Sequence, residues 1–282
     1  MINIVTFAFI GGLIFFASSL LACIMITLWP CTEKRWHRSI LSVCGIVAVM
    51  FIALSATPIP WIVYALWFIA FIIAWILVAR GHPRARWTNI SFWILSLAIA
   101  GSELRYHLPA TIPTSGIDTL YVVGDSLSMG ADPPHKNWPD ILGSKLGMTT
   151  HTYSFGGART DTALANAKRI EKETALVILE IGGNDLLYGA EGFDANLETI
   201  LATICTGKRS VVMLELPLPP TYNTFGIAQR RLARKFGVTL IPKRYLARVL
   251  TTDGATTDGL HLSNVGHAAL ADALVTQFRH PD

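Results

Sequence analysis

Three short blocks of the sequence carry side chains that together can do nucleophilic chemistry. They are Gly124-Asp125-Ser126-Leu127, Gly182-Gly183-Asn184-Asp185 and Asp258-Gly259-Leu260-His261. A serine is a weak nucleophile until a base removes its proton, and histidine is suited to that role near neutral pH. The histidine needs a carboxylate on its other ring nitrogen, which fixes its tautomer and stabilises the imidazolium. The blocks therefore offer a nucleophile, a base and an orienting acid in Ser126, His261 and Asp258.

The same blocks offer donors for a developing oxyanion. Asn184 carries a side-chain N–H, and one such donor is worth roughly 10²–10³ in rate. The Gly156-Gly157 pair lets backbone N–H groups approach a ligand closely. No Gly-x-Ser-x-Gly elbow is present, so this is not the usual α/β-hydrolase arrangement.

Apolar runs that alternate with helix-like stretches must position these blocks. Buried strands are predicted at residues 120–123, 175–180, 210–214 and 238–241, with a weaker one at 149–153. Helices are predicted near residues 138–147, 161–172, 193–206, 225–236 and 263–278. This alternation favours a parallel sheet covered on both faces, with the ligand site at the carboxyl ends of the strands. The serine, glycine and asparagine blocks each follow a predicted strand.

Each residue taken alone also has a structural reading. Ser126 suits a helix N-cap, Asp185 suits a cap, and the glycine pairs suit plain strand-to-helix turns. Asp253 competes with Asp258 for the orienting role, although it lies eight residues before His261.

The three blocks, in this order and spacing, resemble the SGNH or GDSL hydrolase family over about residues 118–280. The segments Asn137–Leu142 and Leu216–Pro220 resemble its bacterial branch of acyl-CoA thioesterase I, lysophospholipase L1 and arylesterases. The resemblance implies a flavodoxin-like three-layer α/β/α sandwich with a parallel sheet. It also implies hydrolysis of esters or thioesters through an acyl-enzyme, without metal or cofactor.

Carried over residue by residue, the resemblance implies Ser126 as nucleophile, His261 as base and Asp258 as orienting acid. It further implies an oxyanion hole from the Ser126 and Gly157 amides and the Asn184 side chain. One departure is visible, because Thr152 stands where the second block of the family usually opens with Asn. This weakens the choice between Gly156 and Gly157, of which we favour Gly157. The joint occurrence of the blocks favours a catalytic site over the structural readings.

Composition points to a membrane region outside the resemblance. Of the 282 residues 52% are hydrophobic and only 15% charged, against roughly 25% charged in ordinary soluble domains. Residues 2–29 and 39–79 contain no charged side chain, and about 20 apolar residues suffice to cross a bilayer as a helix. We expect an all-α transmembrane region over residues 1–101, a linker over 102–117 and the hydrolase domain over 118–282. The predicted spans are about 4–29, 39–57, 61–79 and 88–102.

The charge distribution predicts an orientation. Residues 1–101 carry six basic residues and one acid, whereas the remainder is nearly neutral, which speaks against nucleic-acid binding. The basic residues lie in two loops, at 31–38 and 80–87, and such loops tend to stay in the cytoplasm. Four spans then place the catalytic domain on the extracytoplasmic side of a bacterial inner membrane. If the fourth run does not span, the domain lies in the cytoplasm.

Two further expectations concern charged and titratable side chains. His107, His135 and His151 form no ligand-like cluster, and we interpret them as surface residues. The segment 216–252 has seven basic residues and no acid. It is either the solvated face of two helices or a face that rests on anionic headgroups, where each basic residue adds about 1 kcal/mol.

Together these features predict a membrane-anchored serine esterase acting on a lysophospholipid, another envelope lipid or an O-acylated glycan. The expected partners are the acyl-ester substrate and membrane lipids, with no metal and no cofactor. One alternative is an acyltransferase, in which a glycan hydroxyl replaces water, since the same triad and oxyanion hole serve both reactions. The other is a catalytically silent lipid- or glycan-binding module. The sequence leaves the acyl chain length, the leaving group and the oligomeric state open.

Overall fold

The computed structural model describes residues 2–129 and 136–279, which form two compact units. One unit comprises residues 8–105 together with 219–223, and the other comprises the rest of the chain. Each unit has its own hydrophobic core. His135, one of the predicted surface histidines, lies outside the described residues.

The N-terminal third is helical, as its composition predicts. Its helices are α1 (Ile4–Ile10), α2 (Leu13–Leu28), α3 (Arg35–Ala53), α4 (Trp61–Ala79) and α5 (Ala85–Leu104). The expected continuous span over 4–29 is divided, because the chain turns at Gly12, whose φ of 78° lies in the left-handed region that favours glycine. The expected break near Pro58 and Pro60 is present between α3 and α4.

Three of these helical stretches are long and apolar enough to cross a membrane. They are Leu13–Cys31, Arg35–Ala53 and Trp61–Ala79. Helix α5 has 20 residues but carries Arg86 and Glu103 near its ends and is not among the three. The fourth predicted run is therefore a full helix of 20 residues.

An aromatic cluster forms the core of the helical unit. Trp67 and Phe71 of α4 stack with ring centroids 5.6 Å apart, and Phe92 of α5 packs against both. The buried Trp67 indole donates a hydrogen bond from Nε1 to Ser96 Oγ at 3.0 Å. A polar pair of this kind satisfies the indole N–H where no water is at hand.

The second unit is built on a parallel five-stranded sheet. Its strands are β2 (Thr119–Gly124), β3 (Thr149–Ser154), β4 (Leu176–Glu180), β5 (Ser210–Leu214) and β6 (Thr239–Ile241). Its helices are α6 (Trp138–Leu146), α7 (Thr160–Ala167), α8 (Ala190–Ile204), α9 (Asn223–Phe236), α10 (Arg244–Leu250) and α11 (Asn264–Val275). All neighbouring strands pair parallel in the order β3-β2-β4-β5-β6, which confirms the predicted flavodoxin-like α/β class.

Both faces of the sheet are covered, so the central strands are buried throughout. Leu120 and Val122 of β2 point to one face, where they share a core with residues of α6, α10 and α11. The alternate residues Tyr121 and Val123 point to the other face. Helices α7 and α8 pack against each other, and α9 is joined to α8 by ion pairs. The result is the predicted three-layer sandwich.

The strand order places the catalytic blocks at one point of the sheet. Chain connections leave β2 and β4 in opposite directions along the sheet, which makes the pair a topological switch point. Ligands of open α/β sheets bind outside the carboxyl ends of the strands at such a point. Ser126 follows β2, and Asn184 follows β4.

A short two-stranded sheet was not foreseen. Strand β1 (Ile112–Pro113) lies in the expected linker and pairs parallel with β7 (Phe278–Arg279), beyond the last helix. Two residues are too few to show any periodicity, so no sequence pattern predicts this pairing.

One expectation about a titratable side chain is wrong. His107 is buried, not a surface residue, whereas His151 is exposed as expected. Part of the basic segment 216–252 is paired within the domain. Arg230 pairs with the buried Glu215 at 2.6 Å, and Arg231 and Lys235 pair with acids of α8. These three residues therefore add no free positive charge to a headgroup-binding face.

Candidate active site

The predicted nucleophile Ser126 lies in a tight turn directly after β2. The Asp125 carbonyl oxygen accepts hydrogen bonds from the N–H groups of Ser128 at 3.2 Å and Met129 at 3.1 Å. The side chain of Asp125 also takes part, since its Oδ1 accepts a hydrogen bond from the Leu127 N–H at 2.9 Å. These bonds fix the turn and leave the Ser126 side chain half-buried.

Close packing explains the glycine that opens this block. A Cβ atom on Gly124 would lie 2.4 Å from Ser128 Oγ and 3.0 Å from the Glu180 carbonyl oxygen. Ser128 Oγ could move away only by losing its hydrogen bond to Glu180, and the Glu180 carbonyl group is part of β4. Glycine at this position therefore lets the turn close over the end of β4.

The Gly156-Gly157 pair lies in a β-turn after β3. The Ala158 N–H donates to the Phe155 carbonyl oxygen at 3.2 Å, with Gly156 and Gly157 at the two central positions. Gly157 has a φ of 74°, which the third position of a type II turn requires and other residues adopt only with strain. The space beside both glycines is open, since a Cβ atom at either would meet no other atom within 4 Å.

The Asn184 side chain joins these two turns. Asn184 lies in a one-turn 3₁₀ helix, Gly183–Asp185, that follows β4. Its Nδ2 donates to Asp125 Oδ2 at 3.1 Å and to the Ala158 carbonyl oxygen at 3.0 Å. The amide is therefore held between the serine turn and the glycine turn.

The two turns that this amide joins carry further backbone N–H groups. Among the described residues, neither the Ser126 N–H nor the Gly157 N–H donates a hydrogen bond. Most backbone donors in folded proteins are paired, so donors left open beside a polar side chain are suited to a ligand or water. The three groups predicted to form an oxyanion hole thus lie on turns linked by hydrogen bonds.

Asp185 has the structural role expected of a cap. Its carboxylate accepts from the Thr160 N–H at 3.1 Å and from Thr160 Oγ1 at 2.5 Å, at the start of α7. Burial raises the pKa of Asp185, although the Thr160 hydrogen bonds oppose that shift. The carboxylate ties the loop after β4 to the helix that follows the glycine turn.

The third block brings the predicted acid and base together. His261 Nδ1 lies 2.6 Å from Asp258 Oδ2, and Asp258 Oδ1 accepts from the N–H groups of His261 at 2.8 Å and Leu260 at 3.0 Å. The hydrogen bond from the His261 ring, with those from the two N–H groups, holds the pKa of Asp258 well below its usual range. Asp258 therefore contacts the histidine and leaves Nε2 available as the basic nitrogen.

The Ser126 hydroxyl makes no hydrogen bond with the described residues, His261 included. Burial raises the pKa of Asp125 beside the serine, and a charge on His261 opposes that shift. Catalytic hydrogen bonds are often long before substrate binds and tighten in the complex. We expect the serine–histidine contact to form with substrate.

Sequence reasoning missed the buried acid beneath the serine turn. Glu180, the last residue of β4, has no exposed surface and accepts a hydrogen bond from Ser128 Oγ at 2.8 Å. Its signal was a single carboxylate that ends an otherwise apolar strand, since fully buried acids are rare unless paired. Ser128 and the Ala158 carbonyl oxygen were missed as well, because their partners come from other loops.

The described residues can also be compared with the requirements of a metal site. Within residues 2–129 and 136–279, no group of three or more His, Cys, Asp or Glu side chains is arranged to hold a metal ion.

Fold and site together define a hydrolase of the serine type, and comparison with known proteins gives its family. The model of the GDSL-like Lipase/Acylhydrolase family matches residues 122–269, and the chain belongs to this family. It is an ester-hydrolysing enzyme of the esterase, thioesterase and lysophospholipase kind.

Curated relatives agree in kind. Thioesterase 1/protease 1/lysophospholipase L1 of Escherichia coli is 27% identical over 193 residues, which cover 62% of this chain and 93% of the relative. An arylesterase of Vibrio mimicus is 31% identical over 160 residues, covering 51% of this chain and 80% of the relative.

Solved structures agree in fold. The crystal structure of TesA superposes with a TM-score of 0.50 at 27% identity, covering 56% of this chain and 97% of TesA. The esterase EstA of Pseudoalteromonas sp. gives a TM-score of 0.51 at 18% identity, covering 57% of this chain and 96% of EstA.

Proposed function

We propose that this chain is a membrane-anchored serine esterase that hydrolyses acyl esters through an acyl-enzyme intermediate. One observation carries the proposal. The His261 ring is oriented by Asp258 at 2.6 Å, and within residues 2–129 and 136–279 the N–H groups of the predicted oxyanion donors Ser126 and Gly157 have no acceptor.

The proposed reaction has two halves. Ser126 Oγ attacks the acyl carbonyl carbon while His261 Nε2 takes its proton. The tetrahedral oxyanion receives hydrogen bonds from the Ser126 and Gly157 N–H groups and from Asn184 Nδ2, which then releases the Ala158 carbonyl oxygen. The protonated His261 then gives its proton to the departing alcohol. In the second half, His261 removes a proton from water, which attacks the acyl carbonyl, and the acid leaves as Ser126 regains its proton.

The surroundings of the site support an apolar substrate. Large hydrophobic side chains are exposed on the loops that carry the proposed catalytic residues, and we call this set the apolar rim. Its members are Met129, Phe155, Leu187, Tyr188 and Leu260, which range from 40% to 89% exposed. Exposed apolar side chains grouped at a site are typical of ligand contact. They favour an ester with an apolar acyl group, such as an envelope lipid, over an acetylated glycan.

Helices α2, α3 and α4 support the membrane anchor in this proposal. Each is apolar enough to cross a bilayer, and the 20-residue α5 is about 30 Å long, the thickness of a bilayer core. With basic residues in the loops before α3 and α5, four spans orient the catalytic unit to the extracytoplasmic side of the inner membrane. A reporter enzyme fused after Asp282 should be active only outside the cytoplasm. Activity in the cytoplasm would contradict a spanning α5.

The activity is tested with the full chain in detergent or nanodiscs. We expect hydrolysis of p-nitrophenyl esters from acetyl to palmitoyl, with a preference for longer chains. Ser126→Ala should reduce turnover by on the order of 10⁶ and abolish labelling by a fluorophosphonate. Ser144→Ala is the matched control, because the exposed Ser144 lies on α6, where its hydroxyl donates to the Asp140 carbonyl oxygen at 2.8 Å, and it should keep fluorophosphonate labelling. A folded Ser126→Ala variant that stays active would refute the proposal.

A further inference from the structure

Two buried carboxyl groups meet beneath the proposed oxyanion donors. Glu180 ends β4 in register with Gly124 of β2, and Asp125 is the next residue after Gly124. Glu180 has no exposed surface, and Asp125 is 3% exposed. Within the described residues, no lysine or arginine pairs with either. Two buried carboxylates side by side without a cation repel each other strongly, so one of the two retains a proton.

The hydrogen bonds indicate which carboxyl is the anion. Both Asp125 oxygens accept, Oδ1 from the Leu127 N–H at 2.9 Å and Oδ2 from Asn184 Nδ2 at 3.1 Å. Glu180 Oε2 accepts from Ser128 Oγ at 2.8 Å, but its buried Oε1 has no hydrogen-bond partner among the described residues. Burial, together with the nearby charge of Asp125, raises the pKa of Glu180 well above its usual value. Asp125 is thus the anion and Glu180 the acid.

We propose that Glu180 is a positioning residue for the esterase reaction. Its buried carboxyl keeps a proton and, through Oε2, accepts from the Asp125 N–H at 3.4 Å and from Ser128 Oγ at 2.8 Å, which holds the serine turn and with it the Asp125 carboxylate that binds the Asn184 amide. This inference rests on the proposed function, since Asn184 is there an oxyanion donor. Asp125 reaches Asn184 directly, and Glu180 acts only through Asp125.

The proton on Glu180 also limits the negative charge at the site. The reaction builds a negative charge on the oxyanion, next to the amide that Asp125 already accepts from. Ionised Glu180 would add a second negative charge beneath it and oppose that step. The other charged groups that act on Asp125 are Asp185 and His261. The β5 side contributes the apolar, buried Met213 and Leu214.

The proposal predicts a pH profile that a merely structural role would not produce. As the pH rises through the pKa of Glu180, kcat should fall, because the active form of Glu180 is protonated. Glu180→Gln keeps a neutral group of the same shape, so it should retain kcat near neutral pH and lose this alkaline limb. Glu180→Ala removes the acceptor of the Asp125 N–H and of Ser128 Oγ and should lower kcat about 10- to 100-fold, the size expected when buried donors lose their partner, with KM little changed.

The experiment measures kcat and KM of the full chain in detergent on p-nitrophenyl butyrate between about pH 6 and pH 10. Asp118→Asn, an exposed carboxylate directly before β2, is the control and should keep the wild-type profile. Infrared spectra at pH 7 provide a readout that needs no turnover. A protonated-carboxyl band should be present in the wild-type protein and in Asp118→Asn and absent in Glu180→Gln.

Two results would overturn the positioning role: an alkaline limb unchanged in Glu180→Gln, or a Glu180→Ala variant with wild-type kcat. A missing protonated-carboxyl band would overturn it as well, even in a protein without activity. If the proposed function is wrong, the experimental result is different: Ser126→Ala is then as active as the wild-type protein. The two ideas can therefore fail separately.

Discussion

His261 and Asp258 form a complete acid–base pair within four residues of chain. Asp258 binds the His261 ring through Oδ2 at 2.6 Å and the His261 backbone N–H through Oδ1 at 2.8 Å. Gly259, with a φ of 89°, allows the loop to fold back this tightly. The orientation of the base is thus set locally and does not depend on a distant strand.

Replacing this carboxylate tests the pair. Asp258→Asn should lower kcat by about 10⁴, because an amide favours the wrong tautomer of the histidine. The exposed position of Asp258 should leave the unfolding temperature nearly unchanged. Asp253→Asn is the control, since Asp253 competed for the role in the sequence and should be dispensable. A larger loss in Asp253→Asn than in Asp258→Asn would reverse the assignment. Steady-state kinetics and thermal unfolding of both variants give the answer.

The proposed oxyanion donor Asn184 can be tested by truncation. Asn184→Ala should reduce kcat by about 10²–10³ and change KM little, because the donor acts mainly in the transition state. Asn166→Ala is a matched control: its amide also donates to a backbone carbonyl, that of Tyr153 at 3.2 Å, but lies on α7. Equal losses of kcat in the two variants would indicate a general packing defect instead.

The glycine turn offers a comparison between neighbours. Both Gly156 and Gly157 have open space for a Cβ atom, but only Gly157 has a positive φ. Gly157→Ala should therefore cost about 1–2 kcal/mol of strain and turn the proposed donor N–H away, which lowers kcat. Gly156→Ala should leave both stability and kcat close to wild type. Chemical denaturation and kinetics on the two variants would also decide which glycine supplies the donor, the choice that Thr152 weakened.

The apolar rim should set the preference for acyl length. Leu187 is 89% exposed, two residues after the Asn184 loop closes at Asp185. Leu187→Ser should lower kcat/KM for long-chain p-nitrophenyl esters more than for the acetyl ester, because less apolar surface is buried with the substrate. Leu108→Ser changes another exposed leucine of the same unit, before the sheet, and should not alter the ratio. A chain-length profile that is the same in both variants would refute a substrate-binding rim.

Buried His107 should make the protein sensitive to acid. Burial, with the nearby charge of Lys243, lowers the pKa of His107 to about 4, against about 6.5 in an unfolded chain. The unfolded chain therefore takes up the proton first as the pH falls from about 6.5 to about 4, which costs the fold up to about 3 kcal/mol. His107→Gln should lose this part of the acid destabilisation, whereas the exposed His151→Gln should retain it. Thermal unfolding of the full chain at several pH values measures the difference.

Much of the sheet could be predicted because buried strands have a simple signature. The run Leu176-Val177-Ile178-Leu179 is apolar on both faces, and a strand at the centre of a covered parallel sheet needs that. The pairing of Asp258 with His261 was also predictable, since three residues on one loop leave few geometries. The family motifs ordered the blocks along the chain, and the parallel sheet then brings their loops to one edge.

Other features depend on contacts between distant segments and left no local signal. The hold of Asp125 on Asn184 joins residues 59 positions apart, and nothing in either block predicts that contact. His107 is polar and follows the helical region, so nothing near it in the sequence predicts its burial. In the same way, Arg231 and Lys235 read as a basic face because their acidic partners lie on another helix.

The pairing of β1 with β7 has a consequence for how this enzyme is assembled. The Ile112 N–H donates to the Gln277 carbonyl oxygen at 2.8 Å, and the Ala110 N–H donates to Gln277 Oε1 at 2.8 Å. The stretches of chain at the start and at the end of residues 110–279 thus lie side by side at one corner of the fold. A segment whose two ends lie close together can be joined to another domain there while its sheet and catalytic loops keep their structure.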